Sequence, residues 1–101
     1  MKQCCKDYLL EQFGDEDIIA EIYGEYKNTI DEKIVEIDSA FAAGNWVAID
    51  KAAHAIKGCA LTAGDNETAE VAIALRKASH LQSDAEAKEL AQRLKELRQA
   101  L

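Results

Sequence analysis

The chain has 101 residues, of which 49% are hydrophobic, 31% are charged and none is proline. This length corresponds to about one domain, so we expect residues 1–101 to form a single folded unit. The formal net charge of −7 argues against nucleic acid as a partner, because duplex binding needs an excess of Lys and Arg to neutralise phosphates.

Glycines and capping residues divide the first half of the chain into two predicted helices. The first, Lys6 to Phe13, is short, ends before Gly14 and has an apolar face that we expect to cover one end of the fold. The second, Asp15 to Ala43, starts with Asp15 as its N-cap. Its apolar residues recur at steps of three and four, which predicts one buried stripe along a helix of about 43 Å.

Three further amphipathic helices are predicted in the second half. One covers residues 47–63, one starts at Asp65 or Asn66 and ends near Leu81, and one follows Ser83, which forms a capping-box pattern with Glu86. The connections are short and no strand pattern is present. The sequence therefore predicts an all-α, antiparallel, up-and-down four-helix bundle with a short N-terminal helix across one end.

Charge and cysteine distribution bear on where the protein acts. The acidic excess lies in residues 1–45, with four Lys and eleven Asp or Glu, whereas residues 46–101 carry eight of each sign.

No apolar run approaches the roughly 18 residues of a membrane span, and the N-terminus lacks a signal-peptide pattern. Three cysteines do not form the even set of a secreted disulfide scaffold. We expect a soluble cytoplasmic protein without a membrane partner, with Cys4 and Cys5 in a frayed terminus and Cys59 facing a neighbouring helix.

The packing of a helical bundle does not account for the residues around His54. His54 follows the core position Ala53, so its ring lies on the flank of the buried stripe, and Asp50, Lys57, Gly58 and Leu61 share its face. Glycine inside a helix costs about 1 kcal/mol relative to alanine. Gly58 therefore indicates an open space beside the imidazole. A neutral imidazole is a nucleophile, and with the charge of Lys57 beside it the set predicts a site for a phosphoryl group.

Other chemistries fit this helix less well. His54 and Cys59 point about 140° apart on a helix and have no partner at the spacing of metal ligands, so no metal site is predicted. Asp50 could orient the ring of His54, but no Ser or Cys completes a hydrolytic triad on that face. No Gly-rich phosphate loop is present, so neither ATP binding nor autokinase activity is expected. His80 is expected to be a surface residue or a cation at the end of its helix.

The stretch from His54 to Gly64 resembles the signature of histidine-containing phosphotransfer (HPt) domains. In that family the phosphoaccepting His is followed by an aliphatic residue at +2, Lys at +3, and Gly at +4 and +10, and here these positions hold Ile56, Lys57, Gly58 and Gly64. The resemblance extends to the small residue before the histidine, the Gly-Asn-Trp turn upstream and the segment DEDIIAEIYGEY. It covers nearly the whole chain and implies the four-helix bundle that the periodicity also predicts.

Three positions depart from the family pattern. Ala63 replaces a larger aliphatic residue, Thr68 stands where an apolar residue is common, and Arg76 stands where the family usually has Glu or Gln facing the ring. Arginine cannot accept a hydrogen bond. The tautomer of His54 could therefore be fixed in another way, through Asp50 for example, or Arg76 could help to neutralise a phosphoryl group.

The resemblance implies a role in a His-Asp phosphorelay. His54 would take a phosphoryl group from the aspartyl phosphate of a receiver domain and pass it to a response regulator, with a hybrid sensor histidine kinase upstream. The chain would act as a monomer and need no cofactor of its own, because the receiver supplies Mg²⁺. The alternative is a non-catalytic helical interaction module on the same bundle. For partner docking we expect apolar residues left over from the core stripes: Leu9, Phe13, Ile18, Ile22 and Leu61.

Overall fold

The computed structural model describes residues 1–101 and contains five α-helices and no strand. The helices are α1 (Gln3–Phe13), α2 (Glu16–Ala43), α3 (Trp46–Thr62), α4 (Asn66–His80) and α5 (Asp84–Gln99). The all-α prediction is confirmed, and α1 begins three residues earlier than the sequence pattern indicated. None of these helices combines the length and the apolar character that crossing a membrane requires.

The helix ends follow most of the predicted capping signals. Side chains of Asp15, Asn45 and Asp65 accept hydrogen bonds from backbone N–H groups in the first turns of α2, α3 and α4. The predicted capping box at Ser83 is wrong, because its side chain makes no cap hydrogen bond. The chain instead enters α5 through Gln82 in the left-handed region, with φ 51°. Ser83 contributes through its backbone: its carbonyl accepts from Ala87 N–H at 2.8 Å, and its N–H donates to the Ala78 carbonyl at 3.0 Å.

The four longer helices form a closed ring of neighbouring pairs. Helix α3 contacts α2 and α4, while α5 contacts α4 and α2, and α1 packs on α2. The molecule measures 42 × 19 × 19 Å. Its long axis equals the length of about 42 Å expected for the 28 residues of α2, so this helix determines the length of the fold.

The core consists of two clusters stacked along the helices. One is built from aliphatic residues and alanines of α2 to α5, including Ile37, Ile49, Ile56, Leu75 and Leu94. The other lies under α1 and combines Cys5, Leu9, Ile19, Tyr23, Tyr26 and Ile30 with alanines of α3 and α4. The alanine stripe of α3 allows its neighbours to approach closely, as small residues at a helix interface do.

Helix α1 is held in place at both its start and its middle. The Lys2 backbone N–H donates to the Tyr23 hydroxyl at 3.0 Å, and its ammonium group lies 2.8 Å from an Asp65 carboxylate oxygen. Tyr8 packs over Gly64, where φ is +75° and any Cβ would collide with the Tyr8 side chain. This anchoring explains why the expected frayed terminus is wrong for Cys5, which is fully buried, although Cys4 is exposed.

Asp65 forms a buried polar cluster at the junction of α3 and α4. Its side chain is inaccessible to solvent and accepts hydrogen bonds from the Tyr26 hydroxyl and the Thr68 hydroxyl, both at 2.7 Å, besides that from Lys2. Burial alone would raise the pKa of Asp65, but the hydrogen bonds from these three groups outweigh it and lower the pKa below its ordinary value. The Thr68 hydroxyl thus donates to this buried carboxylate, a contact that an apolar side chain at position 68 could not make.

Candidate functional site

His54 lies on the exposed flank of α3. The neighbouring Ala53 is fully buried and Ile56 is also in the core, so the packing of α3 fixes the direction of the intervening face. The His54 ring itself is exposed to solvent. The sequence predicted a ring on the flank of the buried stripe, neither fully inside nor freely solvated. The flank position is confirmed, but His54 is more exposed to solvent than predicted.

Arg76 on α4 connects His54 to Asp50. One guanidinium nitrogen, Nη1, lies 3.0 Å from His54 Nδ1, and Nε of the same group donates to Asp50 Oδ1 at 3.0 Å. Asp50 makes no direct hydrogen bond with His54. The prediction that Asp50 contacts the ring directly is therefore wrong, because Arg76 stands between the two side chains.

The direction of the Arg76–His54 hydrogen bond follows from the chemistry of its partners. A guanidinium group carries only donors, so Nδ1 of the imidazole must be the acceptor. In the neutral ring the proton then lies on Nε2, because the bonding partner of one ring nitrogen determines the tautomer. The arrangement holds the imidazole in one orientation with Nε2 directed away from Arg76.

Asp50 contacts two basic side chains at this corner. Its carboxylate contacts Arg76, and His80 Nε2 lies 3.2 Å from the same oxygen while the His80 ring remains 66% exposed. The hydrogen bond from Arg76 lowers the pKa of Asp50, with desolvation opposing this and the contact with His80 adding to it. The sequence pattern placed His80 at the surface but did not indicate this pairing, since the two residues are 30 positions apart.

Gly58 leaves open space one turn beyond the histidine. A Cβ built at this position would have no neighbour within 4 Å, so nothing inside the protein requires a glycine here. Its backbone carbonyl accepts from the Thr62 hydroxyl at 3.0 Å, and α3 continues past Gly58 to Thr62. Lys57 is partly exposed and forms no ion pair with another residue of the chain. A free ammonium group and an open backbone surface thus lie on the same face as His54.

The apolar residues predicted for docking divide into two groups. Phe13, Ile18 and Leu61 are 48%, 43% and 46% exposed, and Ile22 is partly exposed. We call these four residues the docking surface, because they are the exposed members of the set predicted for docking. Ile22 lines a shallow cavity of about 170 Å³ between α2 and α3. The prediction for Leu9 is wrong, because α1 turns this side chain fully into the core and leaves it no surface for a partner.

Comparison with known proteins shows which family the chain belongs to. The family model described as Hpt domain matches residues 21–100. The chain therefore belongs to the Hpt domain family, and the resemblance noted from the stretch His54–Gly64 is confirmed. The family supports a phosphotransfer role in two-component signalling and interaction with receiver domains and kinases. The chain matches no curated protein and no solved structure.

Proposed function

We propose that this domain carries a phosphoryl group on His54 between two receiver domains of a phosphorelay. The observation that supports this best is the exposed imidazole beside the open surface at Gly58, in a chain that belongs to the Hpt family. In the forward step the ring proton first moves from Nε2 to Nδ1, which frees the lone pair of Nε2. An Nε2–P bond then forms and the P–O bond of an aspartyl phosphate breaks. The electron pair of that bond stays on the aspartate carboxylate, and the proton of Nδ1 passes to solvent.

Three residues of this chain have separate roles in phosphoryl transfer. His54 supplies the nucleophile, Lys57 supplies positive charge for the phosphoryl oxygens, and Gly58 leaves room for the backbone of the partner. Phosphoryl transfer depends mainly on in-line positioning and on neutralising charge. The receiver supplies Mg²⁺, and the domain acts without ATP binding or autokinase activity of its own.

The same proposal includes the arrangement of the helices, the oligomeric state and the partners of the domain. The ring of four helices with short connections supports an antiparallel up-and-down bundle. The domain works as a cytoplasmic monomer that receives its phosphoryl group from the receiver domain of a hybrid sensor kinase and delivers it to a response regulator. The acidic first half of the chain favours partners with a complementary basic surface, since complementary charge raises the association rate.

The test is phosphorylation of the purified domain by a panel of phosphorylated receiver domains in the presence of Mg²⁺. We expect an acid-labile, base-stable label on the protein with at least one receiver, and loss of that label to a second, unphosphorylated receiver. A domain that binds receivers but takes label from none of them would instead be the non-catalytic interaction module.

Replacing Gly58 with alanine is expected to raise the stability of the domain and to slow phosphoryl transfer. The added methyl group meets nothing inside the protein, so helix propensity should raise the free energy of unfolding by up to about 1 kcal/mol. The same methyl group narrows the approach to His54, and we expect the transfer rate to fall at least tenfold. Thermal unfolding and a time course of label transfer measure the two effects.

Gly24→Ala is the matched control for this substitution. Gly24 also lies inside a helix with no neighbour within 4 Å of a built Cβ, but it belongs to α2, whereas His54 and Gly58 belong to α3. This variant should gain stability and keep the wild-type transfer rate. Equal transfer by Gly58→Ala and the wild type would show that the space at Gly58 is not used by a partner.

Leu61→Glu tests the docking surface. A carboxylate introduced among apolar contacts must be desolvated when the partner binds, so we expect the Kd for a receiver to rise at least about tenfold, or about 1.4 kcal/mol. Val35→Glu is the control, because Val35 is 65% exposed and lines a different groove with Ala43 and Ala48. Titration calorimetry with one receiver distinguishes them, and equal affinities would place the docking surface elsewhere.

A further inference from the structure

The contact between Arg76 and His54 has a consequence for the phosphorylated state. The charged and titratable groups in contact at this corner are Asp50 on α3 and Arg76 and His80 on α4, and Lys57 shares the same face of α3. Helix α2 contributes no hydrogen bond or ion pair to His54, Asp50 or Arg76. Arg76 is therefore the hydrogen-bond partner of His54 Nδ1. Asp50 in turn holds Arg76 in position.

Phosphorylation at Nε2 makes Nδ1 the remaining basic atom of the ring. While Nδ1 keeps its lone pair, the ring is a neutral phosphoimidazole and a poor leaving group. Once Nδ1 is protonated, the ring becomes a phosphoimidazolium, which leaves readily when water or a carboxylate attacks phosphorus. A donor aimed at Nδ1 stabilises the first form, whereas an acceptor such as Gln or Glu stabilises the second.

We propose that Arg76 makes this domain a phosphoryl store: its hydrogen bond to Nδ1 of His54 preserves the slow-reacting, unprotonated form of the phosphorylated ring. This inference depends on the proposed function for its biological use. The geometry that supports it is independent of any partner, since the guanidinium can only donate and its Nε is anchored on Asp50 at 3.0 Å.

The same contact also affects how the ring is loaded. In the resting protein Nε2 holds the proton and has no free lone pair, so the proton must move to Nδ1, with loss of the Arg76 hydrogen bond, before Nε2 can attack phosphorus. A glutamine at position 76 could accept from Nδ1–H and leave the lone pair of Nε2 free. We therefore expect Arg76→Gln both to load faster and to lose its phosphoryl group faster than the wild type.

The first measurement uses the protein without any partner. Nitrogen-15 NMR of the imidazole distinguishes a protonated ring nitrogen from one that carries a lone pair. We expect His54 of the wild type to carry its proton on Nε2, and Arg76→Gln to shift the population towards the Nδ1–H tautomer. A wild-type ring protonated mainly on Nδ1 would overturn the proposal.

The second measurement follows the lifetime of the phosphorylated ring. Phosphoramidate serves as the donor: the Nε2–P bond forms, the P–N bond breaks, and ammonium leaves with the ring proton. After removal of the donor we expect phospho-His54 to hydrolyse at least about threefold faster in Arg76→Gln, given the strength of hydrogen bonds to charged groups. Equal lifetimes, or a wild-type ring that phosphoramidate leaves unlabelled, would contradict the proposal.

Two further variants exclude a general effect of charge or folding. Lys77→Gln removes a positive charge at the next position, on an exposed side chain that makes no ion pair, and should match the wild type in both measurements. Arg76→Lys retains a donor and should recover much of the lifetime that Arg76→Gln loses. Failure of every receiver to phosphorylate the domain would remove the proposed function, but it would leave the tautomer and the phosphoramidate lifetime as they are.

Discussion

Replacing His54 with glutamine is expected to abolish phosphoryl transfer completely while leaving the fold intact. Glutamine is similar in size but has no nucleophilic nitrogen, so no N–P bond can form. The ring is exposed and lies outside both core clusters, and surface substitutions usually change stability by less than about 0.5 kcal/mol. Label transfer from a phosphorylated receiver and thermal unfolding measure the two properties on one preparation.

His80→Gln is the matched control, because it makes the same change in the other histidine of the chain. His80 is 66% exposed and lies near Asp50 rather than against the ring of His54. This variant should still accept label. Label that persists in His54→Gln would place the phosphoacceptor elsewhere. An unlabelled wild type whose cellular signalling survives His54→Gln but not Leu61→Glu would favour the non-catalytic module.

The largest loss of stability is expected from Asp65→Ala. This substitution leaves the buried Tyr26 and Thr68 hydroxyls without their acceptor and leaves the ammonium of Lys2 without its main partner. Breaking a buried charged pair costs about 3–5 kcal/mol, against a total stability of about 5–15 kcal/mol for a typical domain. We expect a loss of about 3–5 kcal/mol in the free energy of unfolding, measured by urea denaturation.

Asp15→Ala separates the capping role of Asp65 from its buried contacts. Asp15 caps α2 by accepting from Asp17 N–H and Ile18 N–H, but it is exposed and has no other partner. Its removal should cost about 1 kcal/mol, the usual contribution of an N-cap. If the two variants lose the same amount, Asp65 acts only as a cap and its contacts with Lys2 and Tyr26 contribute nothing to stability.

The pH dependence of stability provides a second test of the same cluster. Because the folded state lowers the pKa of Asp65 below its ordinary value of 3.8, its contribution is present above that value and is lost as the pH falls through the folded pKa. The wild type should therefore lose part of its stability as the pH falls below about 4. Asp65→Ala should lack this component of the loss, and identical acid dependence would contradict the assignment.

The sequence alone predicts the helical elements and the residues of the candidate site. Periodic apolar residues, N-caps such as Asp15 and glycines such as Gly44 predict the helices, because these signals act within one or two turns of the backbone. The face that joins His54, Lys57 and Gly58 is equally local, since residues three and four apart on a helix are neighbours. A single helix therefore carries enough of the pattern to indicate the family.

Only the tertiary structure decided which distant residues meet. The contacts of Arg76 with His54 and Asp50, and of Lys2 with Asp65, join residues separated by 22, 26 and 63 positions. The sequence marked Arg76 as an unusual residue but could not show its two partners. It indicated an apolar face on the first helix, but not that Cys5 and Leu9 are the side chains that α1 buries. Such contacts depend on how helices pack against one another. Periodicity along a single helix says which face is buried, but the packing of α1, α3 and α4 decides which side chain lies opposite.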